Sequence, residues 1–543
     1  MKPTNLQAIL YTAAIAAAPT TSPDDASSTI HWSPKPSAGN ATTVDKGYIG
    51  FGIEMKSFPD YAGRGDTPNA FSNFLLQQIS NRTGGAPLHI RVGGTSMDNT
   101  RYNPALTTEA VNITGNFSAC KLHTDVDIGA PWLRSFKNLG GAPAALAPRY
   151  TVQVPLARKD VDNGVAFASA CIDALDAGDT GLSRLDALEI GNEPNFYPDY
   201  PKAPCRDEAD RAKGWRPSNY TDEWTKYAAE LAGRVGALKR SGVKEWFQTL
   251  TLSSTVQKQA EWGLSAIGDE LTDGGYVKTV SQHYYQGNAS KGLKEELLTH
   301  STTVSRIQGK FAANLAFAKN RSIPFILGEV GSAIGADGKA NPALYDTLGA
   351  ALWTLDFLLY GMTIGIARVS MQLGTNFRIS AWQPVDKPPN HPQAVHGNYY
   401  GLVAGAAFIG GGGDLQVSPL DAVDGHPDVV GYAGYHGGRL SKIAVLNLDV
   451  WNGGNTERPA KHISLSRLGD DVNEVRVSRL TAPLGATADT GITWAGRRWT
   501  AENNGTEYAD GERPVTIGVQ DGAPARNIVV KASEAVVVEI LRG

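Results

Sequence analysis

Between residues 47 and 371, eight short apolar runs alternate with longer stretches of helical spacing. This alternation constrains the fold more than any other feature of the chain. The runs are Tyr48–Ile53, Leu88–Val92, Tyr150–Pro155, Leu185–Ile190, Phe247–Leu252, Val277–His283, Ile323–Leu327 and Ile364–Met371. Most are continuously apolar, as strands buried on both faces are. Helical spacing is clearest where Phe71, Phe74, Leu75, Gln78 and Ile79 share a stripe over 71–80. A second helix is expected from a Ser218 cap to Arg240, with Trp224, Tyr227, Ala228 and Leu231 on its apolar face. Eight such units predict an α/β fold, a (β/α)8 TIM barrel. A doubly wound open sheet has the same periodicity and is the structural alternative.

After about residue 400 the texture changes. Gly410–Gly413 is a turn-forming run, without the Gly-Lys-[Ser/Thr] ending of a phosphate loop. Ser441–Leu448, Glu474–Leu480 and Ala532–Ile540 read as alternating strands, and no further helix pattern stands out. The expected domains are therefore a barrel over 26–395 and an antiparallel β-sandwich over 396–543. The first residues of the barrel segment could also serve as a strand of the β-domain. The β-domain is expected to pack on the barrel and stiffen it.

Composition removes several function classes. Apolar residues make up 41% and charged residues 19% of 543, an ordinary globular balance. Fifty basic residues face 54 acidic ones with no long basic run, so a nucleic-acid partner is not expected. The apolar stretch Leu348–Met371 imitates a membrane span. Asp356 and Gly361 interrupt it, and a buried helix, a glycine break and a buried strand explain it better. Residues 1–25 read as a signal peptide and disordered start: Lys2, an apolar Leu6–Ala18, then Pro19 and small polar residues. Eight N-x-[ST] sequons, at Asn40, Asn81, Asn112, Asn116, Asn219, Asn288, Asn320 and Asn504, fit a secreted glycoprotein. Cys120, Cys171 and Cys205 allow one disulfide and one free thiol, and the sequence does not choose the pair.

Two segments carry chemistry: Leu188-Glu189-Ile190-Gly191-Asn192-Glu193-Pro194-Asn195 and Phe325-Ile326-Leu327-Gly328-Glu329-Val330-Gly331-Ser332. Each sets a glutamate just past the C-terminal end of a predicted strand, the fourth and the seventh. That is the face on which barrel enzymes assemble their sites. Two facing carboxyl groups can break a glycosidic bond, one protonating the leaving oxygen and one attacking the anomeric carbon or activating water. Close approach of the two pushes their proton affinities apart.

These motifs, with Arg91-Val92-Gly93-Gly94-Thr95 and His283-Tyr284-Tyr285, make the chain resemble glycoside hydrolase family 79. That is the β-glucuronidase and heparanase family of the clan A retaining glycosidases. The resemblance covers most of 47–380, and the trailing β-domain also fits. It implies Glu193 as acid/base and Glu329 as nucleophile, with Asn192 bonding the sugar 2-hydroxyl. It implies Tyr284 as the donor that holds the nucleophile ionised, and Glu54 and Thr95 as contacts to the sugar hydroxyls. A uronate carboxylate would be held by backbone N–H groups at Gly335 and Ala336 and by a tyrosine after strand eight. Phe377 stands where that tyrosine is expected, and the adjacent Arg378 is an alternative carboxylate partner.

The expected activity is thus a secreted retaining exo-β-glycosidase, β-glucuronidase-like, acting on a carbohydrate with no cofactor and no metal. The alternatives are a clan A enzyme for a neutral sugar, a heparanase-like endo-glycosidase, and a non-catalytic carbohydrate-binding protein. Trp132, Trp215, Trp262 and Trp382 are possible sugar platforms, Trp382 the best placed, although core packing is the commoner role. His283 reads as a structural histidine, and His391 and His396 as loop residues without a third metal ligand.

Overall fold

A computed structural model describes the chain apart from residues 1–28, 36, 40, 143, 176–181, 254–259, 289–290, 335–340, 390, 455 and 521–522. The expected signal segment and the Asn40 sequon lie outside the described residues.

Eight parallel strands close into a barrel: β1 (Ile49–Glu54), β2 (His89–Gly93), β3 (Arg149–Val154), β4 (Leu185–Ile190), β5 (Phe247–Leu252), β6 (Val277–Asn288), β7 (Phe325–Ile334) and β8 (Arg368–Leu373). Closure excludes the open doubly wound sheet. β1, β4 and β5 are buried at every position, which is why their sequences run apolar rather than alternating. The helices outside include α1 (Ala70–Arg82), α2 (Val161–Leu175), α3 (Pro217–Arg234), α4 (Leu264–Thr272), α5 (His300–Asn320) and α6 (Leu348–Ile364).

Local chemistry moves two boundaries. Helix α3 begins at Pro217 rather than from a Ser218 cap, and the Asn219 side chain accepts from the Arg216 N–H at its start. It stops at Arg234, and a separate helix covers Gly236–Ser241. The apolar stretch at Leu348 divides as expected into helix, glycine and strand, but the break is Gly365, at φ +86°, rather than Gly361. Pro342–Ile364 is long and apolar enough to cross a membrane, and it lies packed inside the protein.

The β-domain is two facing sheets. Val429–His436, Arg439–Asn447, Glu534–Arg542 and Val472–Thr481 form the middle of the larger one. The smaller pairs Thr29–Trp32 with Ala460–Leu465 and that strand with Ala525–Lys531. The first of these pairings is parallel, so the sandwich is not wholly antiparallel. Thr43–Val44 also joins the larger sheet, so the chain enters the β-domain before it builds the barrel. Val536, Val538 and Ile540 face the sandwich core with Trp32 and Ile463. Their neighbours Ala535 and Val537 belong to the core shared with the barrel. The two-residue side-chain period thus lets one sheet bury both faces.

A helix that the sequence pattern does not reveal, α7 (Gly397–Ile409), lies between the two parts. It is apolar nearly all round and so has no amphipathic stripe to read. Gly401 sits so close to α6 that a Cβ there would come within 2.3 Å of the Ala351 carbonyl oxygen.

Candidate active site

The site occupies the C-terminal mouth of the barrel and is built from the ends of β1, β2, β4, β6 and β7. At the end of β4 the chain turns sharply. Gly191 has φ +82° and Glu193 φ +47°. The left-handed conformation is costly for a side-chain-bearing residue, on the order of 1–3 kcal/mol. It is held by the Glu193 N–H bonding Thr251 O at 3.0 Å and by Pro194 immediately after.

On β7 the pairing with β6 slips: Gln282 faces Leu327, but His283 faces Glu329, and Gly328 is passed over. Such a bulge re-aims the residues that follow it. Glycine leaves room there, since a Cβ on Gly328 would lie 2.3 Å from Ser281 Oγ and the Ser281 hydroxyl would have to turn away. The outcome brings carboxyl oxygens of Glu193 and Glu329 and a ring nitrogen of His283 within 4.8 Å of one another.

The two glutamates have different surroundings. Glu329 Oε1 accepts from the Tyr285 hydroxyl at 2.6 Å, and Oε2 from Arg91 Nη1 at 2.8 Å. Burial pushes its proton affinity up, but the charges of His283 and Arg91 and the Tyr285 hydrogen bond outweigh this and hold it below the usual carboxylate range. Glu193 has one ring partner, His283 Nδ1 at 3.0 Å from Oε1, and its side chain keeps 20% exposure. Burial lowers the His283 pKa, the Glu329 and Glu193 carboxylates raise it, and the net shift is upward.

Beneath them Arg91 acts as a buried hub. Its Nε and Nη2 donate to Glu189 Oε1 at 2.9 and 2.6 Å, and Nη2 also donates to Asn192 Oδ1 at 2.7 Å. Gln248 satisfies the other Glu189 oxygen. Full hydrogen bonding is what makes a buried charge of this kind tolerable.

The expected site residues fall into groups. Asn192 and Thr95 line one cavity with Glu193. Glu54 is buried, with Oε1 accepting from the backbone N–H and hydroxyl of Ser96. Burial raises its pKa to about 7, against the Ser96 bond and with help from the Glu329 charge. Tyr284 is a correction. Its hydroxyl donates to Gln286 Oε1 at 2.9 Å, and its ring stacks on Phe357 of α6 at 5.5 Å. Successive strand residues face opposite ways, so His283 and Tyr285 point into the mouth and Tyr284 into the helix layer.

Arg378 is exposed and lines a different cavity, of about 510 Å³, with Phe377, Tyr345, His391 and His396. Gly335 and Ala336 lie outside the described residues. Trp382 is no platform: it is fully buried, edge-on to Phe51 and Tyr61, with Nε1 bonded to Ser72 Oγ. Trp132 and Trp262 are likewise core, and Trp215 packs against Trp262 with its ring tilted by 43°. Arg91, Glu189, His283 and Tyr285 are the site residues that the sequence reading did not assign. The slip at Gly328 decides that Tyr285 rather than Tyr284 shares a face with Glu329, so the sequence alone does not choose between them.

With this geometry in place, relatives can be compared. Residues 431–537 match the model of the glycosyl hydrolase family 79 C-terminal beta domain. A Neurospora crassa beta-glucuronidase is 28% identical, over 91% of this chain and 94% of its own. An Aspergillus niger beta-glucuronidase is 29% identical, over 83% and 82%. The chain is thus similar to glycoside hydrolase family 79, in its β-domain by the family model and over most of its length by these two relatives. Among solved structures, a Fusarium oxysporum 4-O-alpha-L-rhamnosyl-beta-D-glucuronidase superposes with a TM-score of 0.75 at 21% identity, covering 94% of this chain and all of that one. A family 51 arabinofuranosidase from Thermotoga petrophila superposes at 0.60 and 14% identity over 94% of this chain, a likeness of fold alone. The chain is a glycoside hydrolase whose barrel and β-domain recur together in these proteins.

Proposed function

We propose that this chain is a secreted retaining exo-β-glucuronidase in which Glu329 is the nucleophile and Glu193 the acid/base. The observation that carries the reading is the unequal pair at the mouth. The carboxyl oxygens approach within 4.8 Å, in keeping with the separation of about 5–5.5 Å in retaining enzymes rather than about 6.5–9.5 Å in inverting ones. Glu329 is kept ionised by Arg91, His283 and Tyr285, as an attacking group must be. Glu193 is partly open to solvent, as a group that exchanges protons must be.

In the first step Glu329 attacks the anomeric carbon while Glu193 gives its proton to the leaving oxygen. In the second, water enters on the same face, loses a proton to Glu193 and releases the sugar with retention. Asn192 Oδ1 is committed to Arg91, which leaves its N–H₂ group to donate to the sugar 2-hydroxyl. Tyr285, rather than Tyr284, takes the role of donor to the nucleophile.

The glucuronate preference is supported by the two fungal relatives named beta-glucuronidase. Phe377, which lacks the hydroxyl expected after β8, favours the second reading, a neutral sugar. Matched chromogenic β-glucuronide and β-glucoside substrates decide between them, with Glu329→Gln as control. Glucuronide-only turnover supports the first reading, and a glucoside preference replaces it with the second. Secretion is supported by the Cys120–Cys205 disulfide and by the exposure of sequon residues Asn81, Asn116, Asn219, Asn288, Asn320 and Asn504. Expression in a eukaryotic host tests it: the protein should reach the medium and shrink on enzymatic deglycosylation.

A further inference from the structure

Beside Glu193 lies a cavity of about 200 Å³, whose lining includes neither Glu329 nor Tyr285. Its outer wall is made by two loops far apart in sequence, one around His123 and one from Phe196 to Asp210. Three contacts join them. Cys120 and Cys205 are bridged by a disulfide that spans 85 residues. The His123 and Tyr200 rings stack with centroids 5.7 Å apart and planes 4° from parallel. Arg206 donates to Asn99 and Asp210 at 2.9 and 3.1 Å and pairs with Asp125.

The lining is aromatic and acidic. Phe196, Tyr197 and Tyr200 supply rings, and Asp98, Asp210 and Glu193 supply carboxyl groups. Among the described lining residues there is no lysine or arginine. Asp98 already accepts from Tyr197, Asn192 and Leu156. Asp210 is raised to about 6 by burial, against the Arg206 charge. His123 Nδ1 is buried with no hydrogen-bond partner. Burial together with the Arg206 and Lys56 charges favours the neutral ring. A hydroxyl can satisfy such a nitrogen either as donor or as acceptor.

We propose that this cavity is a subsite for one uncharged, hydroxyl-bearing ring of the substrate, next to the sugar that is cleaved, and that the Cys120–Cys205 bridge sets its width. The inference rests on the reading of Glu193 as acid/base. A carboxylated or sulfated ring would meet three acids there and no lysine or arginine among the described lining residues. The same ring chemistry can come from the leaving group or from a sugar carried on a hydroxyl of the cleaved unit.

The test builds two series on whichever glycosyl unit wild type cleaves, so that a wrong sugar and a wrong subsite give different results. One series varies the leaving group: nitrophenol, a neutral hexose and its sulfated form. The other keeps nitrophenol and adds a neutral sugar, or its sulfated form, to the cleaved unit. The neutral ring should raise kcat/KM at least tenfold over its sulfated form in one series, and that series names the source. Tyr200→Ala, at a 41% exposed position, and the double variant Cys120→Ser/Cys205→Ser should each remove most of that gain through KM. Should the double variant fail to fold, Tyr200→Ala decides alone. No neutral-ring gain in either series, equal use of the sulfated ring, or a gain undiminished in the folded variants would overturn the subsite.

Discussion

Two places in this protein set a histidine Nδ1 3.0 Å from a carboxyl oxygen, and they are built for different ends. At the barrel mouth, His283 faces Glu193, with Glu329 Oε2 also 3.8 Å away. Glu193 is partly exposed, and His283 Nε2 is buried without a partner. At the seam between barrel and β-domain, His300 of α5 faces Asp356 of α6 through both carboxylate oxygens, and Tyr432 of the large sheet donates to Oδ1 at 2.7 Å. Asp356 is fully buried and its oxygens are filled. A saturated acid holds elements together. An acid with capacity left over, beside a second acid, is available to a substrate.

The comparison can be broken at either end, and the largest effect is expected at the mouth. Glu329→Gln should lower kcat by about 10⁴-fold or more, measured on a chromogenic glycoside, with thermal unfolding little changed. Retained turnover would remove Glu329 from the chemistry. Next comes the seam. Asp356→Ala strands His300 and the Tyr432 hydroxyl and should cost about 3–5 kcal/mol in denaturant unfolding, with kcat kept in the folded fraction.

The seam should also respond to pH. Burial lowers the His300 pKa, Asp356 raises it, and the net shift is upward. The stabilisation is therefore fully present below the unfolded histidine value and is lost as pH rises through the folded one. The deficit of Asp356→Ala should be larger in acid than in alkali. A deficit independent of pH would mean that packing, not the charge pair, supplies the stability.

Tyr285→Phe removes one charge-assisted hydrogen bond from Glu329, worth about 1.5–3 kcal/mol, or roughly 10–150-fold in kcat. Because that bond lowers the Glu329 pKa, the acid limb of kcat/KM should move to higher pH. Tyr284→Phe, one residue away, should cost about 1 kcal/mol of stability at most and leave the limb in place. Equal pH profiles for the two variants would contradict the strand alternation that separates them.

A separate effect, on stability alone, concerns Glu54. Its pKa is raised from 4.5 to about 7, first by burial. The folded chain then holds a proton that the unfolded chain has released, and stability falls as pH rises from about 4.5 to about 7. Glu54→Gln should flatten that part of the melting-temperature profile, and an unchanged slope would count against the buried acid.

Much of the site was legible because strand ends are written locally. Asn192-Glu193-Pro194 and Gly328-Glu329 each follow an apolar run, and the barrel places all such ends on one face. What escaped reading depended on pairing. The Tyr284 and Tyr285 roles turn on a one-residue slip at Gly328, and register is a property of two strands, not of one. Arg91 is an apparent anomaly in a buried strand until Glu189, Glu329 and Asn192 surround it. Trp382 follows a strand end, as a sugar platform would, yet Phe51, Tyr61 and Tyr399 enclose it.

By itself, then, the sequence determined the eightfold alternation, the change to β-structure after residue 400 and the two glutamates, because each is carried by short-range pattern or by chemistry at a strand end. Tertiary structure alone decided that Cys120 pairs with Cys205 and leaves Cys171 buried and free. It decided that Thr29–Trp32 and Thr43–Val44 belong to the β-domain, that α7 is a helix, and that Tyr285 is the tyrosine that reaches Glu329. All four depend on which distant segments meet, and burial on every side erases the periodicity from which a single chain is read.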